Sequence, residues 1–90
     1  MQETQITIIN KLGLHARAAS KFVSTSTAYA ATTRVRAAGE NWVDGKSIMA
    51  VMMLAASIGT ELHIRCEGED EDEALQALIE LIERRFDEGE

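Results

Sequence analysis

His15 and Arg17 stand in GLHARAASKFV, residues 13 to 23, where a Gly-Leu step gives way to a run with helical periodicity. A neutral imidazole is a nucleophile, and histidine is neutral in large part at physiological pH. If a helix begins at Ala16, His15 takes its cap position, and the first-turn amides, which lack intrahelical acceptors, point towards the ring. Those amides and the positive end of the helix dipole make a seat for an anion. The planar fork of Arg17 suits a phosphoryl group, and Lys21, one turn on, extends the basic ridge. The same residues admit a plainer role, in which His15 only closes the helix end, and by themselves they leave both open.

A second stretch, DGKSIMAVMML at 44 to 54, sets Gly45-Lys46-Ser47 before another helical run. The triplet is similar to the end of a phosphate-binding loop, G-x-x-x-x-G-K-[ST]. The first glycine of that pattern falls on Glu40, which argues against a nucleotide-dependent enzyme. Ser47 is better placed as a helix cap. A capping serine can also be phosphorylated, adding roughly −1.5 to −2 charges at the helix start. If Val51, Leu54 and Ala55 face inwards, Ile48, Met49 and Met52 lie towards solvent beside Lys46. Exposed methionine and isoleucine would form an adaptable docking surface; otherwise the helix phase differs and they are core. His63 and Cys66, three apart in a strand, point to opposite faces and cannot share a metal. Trp42 belongs with hairpin packing.

The elements that must position these residues follow from periodicity. TQITII at 4 to 9 reads as a strand, and Ala16, Ala19, Phe22 and Val23 give one helical face over 16 to 28. TTRVRAA and NWV form a hairpin, and SIMAVMMLAAS is a helix ending near Gly59. In TELHIRCEG, Leu62, Ile64 and Cys66 alternate with Glu61, His63 and Arg65. The last helix carries a stripe of Leu75, Leu78, Ile79, Ile82 and Phe86, a solvated acidic first turn and Arg84 and Arg85 in its last turn. The order βαββαβα, with one polar face on each strand, predicts an α+β fold. It is a largely antiparallel sheet with helices on one side and water on the other.

Composition narrows the function classes. Ninety residues make one domain, 1–90, with a modest core and chemistry near the surface. The net charge of −6 is divided: residues 67–90 hold eleven acids against two arginines, a net −9, and residues 1–66 are at +3. An acidic chain is a poor nucleic-acid binder, and the basic part suits small anions or an acidic protein surface. No signal segment or membrane-length apolar run is visible, and one cysteine cannot build a disulfide framework, so a soluble cytoplasmic protein is expected.

Taken together, GLHARAASKFV and, some thirty residues on, GKSIMAVMMLAA resemble the HPr family, the histidine-containing phosphocarriers of the bacterial phosphoenolpyruvate-dependent phosphotransferase system. The resemblance covers essentially the whole chain. It implies an open-faced β-sandwich, a four-stranded antiparallel sheet covered on one side by three helices. It implies a carrier rather than an enzyme, with no cofactor or metal. In that role His15 accepts a phosphoryl group on Nδ1 from phosphorylated enzyme I and passes it to an enzyme IIA domain, with Arg17 steadying the phosphate. Ser47 matches a serine that a kinase/phosphorylase modifies in some bacteria, and Lys21, Lys46, Ile48, Met49 and Met52 fall on the partner surface of a monomer. A regulatory interaction protein that does not support sugar uptake is the alternative. One departure stands out: the family usually has proline where this chain has Ala18, a change expected to cost about 0.4 to 1 kcal/mol.

Overall fold

Alternation along Glu61–Glu67 puts Leu62, Ile64 and Cys66 into the core, where all three are buried. This strand is the spine of the fold. The computed structural model describes residues 1–89, with strands β1 (Gln2–Thr7), β2 (Thr32–Ala37), β3 (Val43–Asp44) and β4 (Glu61–Glu67). They form one antiparallel sheet in the order β1-β4-β2-β3, as the strand patterns imply. Helices α1 (Ala16–Thr27), α2 (Ile48–Met53) and α3 (Glu71–Glu83) supply the covering layer, with Phe22, Val51, Leu78 and Ile82 packed against the inner sheet face. The architecture is the four-stranded open-faced sandwich expected from the resemblance.

Several boundaries differ from the sequence expectation, each for a local reason. β1 begins at Gln2 and ends at Thr7, two residues early at each end. Ile8 leaves the strand to be buried while Ile9 turns outwards. α2 stops at Met53 because Leu54 and Ala55 donate back to Val51 and Met52, tightening the last turn, and Ala55 adopts a left-handed φ of 51°. Ala55 is consequently exposed rather than inward, and Ala56 enters the core in its place.

α3 stops at Glu83, so Arg84 is its cap and Arg85 lies beyond it, not in the last turn. Arg85, Phe86 and Asp87 then form a single 3-10 turn with φ of 56°, 53° and 62°. Left-handed backbone costs an L-residue roughly 1 to 2 kcal/mol. Burial of Phe86, which is 0% exposed, offsets part of this; a phenylalanine contributes about 1.5 to 3 kcal/mol when buried. Phe86 thus joins the core by a hooked chain rather than by continuing the helical stripe, and Leu81 fills the stripe alongside Ala74.

The acidic start of α3 is more than a solvated turn. Asp70 accepts hydrogen bonds from the amides of Ala30 (2.9 Å) and Ala31 (2.8 Å), which hold its carboxyl below the usual carboxylate range, and Glu71 accepts from Gly68 N–H at 3.1 Å. The outer sheet face is also less open than expected. Trp42 lies over the guanidinium groups of Arg36 (5.0 Å) and Arg65 (4.4 Å), and His63 among them is only 8% exposed.

Candidate functional site

The loop before α1 is fixed by a glycine that nothing else could replace. Gly13 has a φ of +68°, and an added Cβ would lie 2.4 Å from the Ala56 carbonyl oxygen. Its neighbour Leu14 donates from its amide to that same carbonyl at 2.8 Å, so the loop leans on the segment that follows α2. Asn10, wholly buried, donates from Nδ2 to the Gly13 carbonyl at 2.9 Å and closes the loop from within. Held this way, the chain enters α1 with His15 at the N-cap in extended conformation.

The first helical hydrogen bond runs from Ala19 N–H to the His15 carbonyl, at 2.8 Å. The amides of residues 16 to 18 therefore have no intrahelical acceptor. His15 occupies the cap position without a cap bond: its side chain does not reach those amides. Its Nε2 instead meets the Glu88 carboxylate, carried there by the hook after α3. The other carboxylate oxygen accepts from Asn10 Nδ2 at 3.0 Å. Burial pushes the Glu88 carboxyl up, but the hydrogen bonds from His15 and Asn10 and the nearby charge of Arg17 outweigh it and leave the group below its ordinary range.

His15 opens onto a cleft of about 580 Å³ lined by Lys11, Leu12, Ala16, Arg17, Asp87 and Glu88. Arg17 is exposed and, among the described residues, neither Lys11 nor Arg17 makes an ion pair or side-chain hydrogen bond. The acids of the cleft are already engaged: Asp87 accepts from Arg84 Nε at 3.0 Å and lies 3.6 Å from Lys21 Nζ, which holds its carboxyl down. Among the described residues, Lys11 and Arg17 are thus unpaired cations lining the cleft with His15, and the exposed first-turn residues Ala16 and Arg17 offer free amides beside them, an arrangement able to receive a doubly charged oxyanion. Among the described residues no cluster of three or more His, Cys, Asp or Glu is positioned to hold a metal.

Lys21 faces inwards along this ridge, donating to the Phe86 carbonyl at 3.0 Å. Lys46 is likewise tied, to the Tyr29 carbonyl at 2.8 Å. Ser47 caps α2, its Oγ accepting from Ala50 N–H at 3.3 Å, and Ser26 Oγ donates to the Gly45 carbonyl at 2.7 Å, joining α1 to the turn before Ser47. Ile48, Met49 and Met52 are exposed, which decides between the two phases that their spacing left open. Met53, at 79% exposed the most open of the group, adds to this apolar surface beyond what the periodicity showed, and Leu12 is exposed beside His15 in the cleft. Asn10 and Glu88 also escaped sequence reasoning. Asn10 carries the weak signal of an asparagine in a turn, and Glu88 none, being one acid of many and 73 residues from its partner.

The family model described as "PTS HPr component phosphorylation site" matches residues 2–84. The chain belongs to the HPr family. It is 66% identical to the phosphocarrier protein HPr of Pseudomonas aeruginosa and 56% to that of Pseudomonas putida, each over 90 residues and the full length of both chains. A crystal structure of HPr from Thermoanaerobacter tengcongensis superposes with a TM-score of 0.92 at 43% identity, covering 98% of each chain. Membership makes the chain a phosphocarrier of the phosphotransferase system, a protein that hands on a phosphoryl group and is not a catalytic enzyme. Its partners are proteins of that system, and no helix of the described residues is long and apolar enough to cross a membrane.

Proposed function

We propose that residues 1–90 act as a single HPr-like carrier domain in the cytoplasm, a monomer that accepts a phosphoryl group on Nδ1 of His15 from phosphorylated enzyme I and donates it to enzyme IIA domains. The observation that carries this is the state of the His15 ring: it stands at the start of a 12-residue helix, with Nε2 taken by Glu88 and its cleft lined by Lys11 and Arg17. The lone pair of Nδ1 attacks phosphorus, and the donor nitrogen leaves with the electron pair of the broken bond. Arg17 and the exposed amides of residues 16 and 17 meet the phosphoryl oxygens.

The exposed side chains of Ile48, Met49 and Met52 form the docking surface, with Met53 at its edge. Lys46, just before Ser47 in the chain, and Lys21, held against Asp87 at the His15 cleft, complete the partner contacts, their ammonium groups steadied by backbone carbonyls. Ser47 is a regulatory phosphosite for an HPr kinase/phosphorylase. A phosphate there would sit at the start of α2 beside Ile48 and weaken apolar docking.

The test is incubation with phosphoenolpyruvate and enzyme I, followed by intact mass analysis of the wild type and of His15→Ala. One acid-labile phosphate on the wild type and none on the variant is expected. Phosphate retained by the variant, or none on the wild type, would overturn the assignment, and an acid-stable label would move it to Ser47.

A further inference from the structure

Residues 84–88 form a hook whose outcome is one contact. Three consecutive left-handed residues, Arg85, Phe86 and Asp87, turn the chain back on itself after α3. Phe86 anchors the turn in the core, and Lys21 pins its far side through the Phe86 carbonyl at 3.0 Å and Asp87 at 3.6 Å. Arg84 closes the inner side onto Asp87 at 3.0 Å. The next residue is Glu88, one oxygen fixed by buried Asn10 and the other on His15 Nε2. Asn10 also closes the loop that delivers His15, so a single amide sets both the ring and the carboxylate that faces it.

We infer that Glu88 is a positioning residue for phosphoryl transfer: by accepting the Nε2 proton of His15 it holds the ring in the tautomer and orientation that present the Nδ1 lone pair to the donor. This rests on His15 being the acceptor. Which ring nitrogen of a histidine is protonated is set by the hydrogen bond the other makes, and a carboxylate accepts only. In the neutral ring Glu88 therefore specifies Nε2–H and leaves the lone pair on Nδ1. When Nδ1 bonds to phosphorus the ring becomes a phosphoimidazolium that keeps its Nε2 proton, and the same carboxylate faces the new positive charge. When the phosphoryl group moves on, the electron pair returns to Nδ1 and the Nε2–H tautomer is restored with no proton exchanged with water.

The test combines two readouts on protein labelled with ¹⁵N in histidine. Nitrogen chemical shifts and couplings of His15, recorded without any donor, should show the Nε2–H tautomer alone in the wild type and a mixture in Glu88→Ala. Phosphoryl acceptance by Glu88→Ala should fall by on the order of tenfold, the lower end of what is lost when a group orienting a functional histidine is removed. Glu88→Asp, which keeps an acceptor on a shorter arm, should recover the tautomer and part of the rate. Wild-type tautomer and wild-type rate in Glu88→Ala would overturn the inference. So would slower transfer in both variants with the tautomer unmoved, which would make Glu88 only a clasp for the hook. The tautomer is measured before any phosphoryl group is present, so failure of His15 to be phosphorylated would defeat the functional proposal and leave this measurement to be judged separately.

Discussion

α1 and α2 both begin at a residue in the N-cap position, and the two caps use their side chains in opposite ways. Ser47 turns its hydroxyl onto Ala50 N–H and satisfies its own helix. His15 makes no such bond, and its ring is tied outside the helix to Glu88. The same local geometry therefore yields a closed helix end at one site and, at the other, an open one with unpaired amides around a nucleophile. A cap that stabilises its helix consumes the donors an anion would need, whereas a cap held from elsewhere leaves them free.

Making the two caps alike should produce the largest effect. His15→Ser gives α1 a hydroxyl able to accept from Ala18 N–H, so acid-labile phosphorylation should vanish while the fold persists, as read by mass analysis and thermal melting together. Retained acid-labile phosphate would show that the ring is not the acceptor. At the other cap, Ser47→Asp keeps an acceptor for Ala50 N–H but adds charge beside Ile48. Transfer to partner proteins should slow with stability nearly unchanged, and equal kinetics with every partner would remove Ser47 from the docking surface. Ser47→Ala should lose about 1 kcal/mol of stability in urea titration, with transfer little altered.

The smallest effect should come from Ala18→Pro, which restores the residue usual in the family. Ala18 N–H has no helical acceptor, so the ring removes no intrahelical bond, and a gain of about 0.4 to 1 kcal/mol is expected. Ala18 is fully buried. A loss of stability would mean that the surrounding core has closed on the alanine.

What the sequence discloses about these two sites follows how local each is. Ser47 and the helix after it are readable because a cap is a matter of a few consecutive residues, and His15 with Arg17 likewise. The sheet is legible through the alternation in β4, whose inward residues are all apolar. The hook is not. Phe86 falls at a helical spacing from Ile82 and invites a continuous stripe, although the chain reaches the core by left-handed residues that no glycine or asparagine announces. Ala55 hides the end of α2 in the same way. Glu88 is beyond local inspection altogether, since its role depends on two chain segments meeting after the fold is complete.

The most direct test of this account is the site of the phosphoryl bond in the phosphorylated protein, read by ³¹P and ¹⁵N NMR. Phosphorus bonded to Nδ1 of His15, with the proton still on Nε2, is the predicted result. Phosphorus on Nε2, where Glu88 now sits, or on Ser47 Oγ would contradict it.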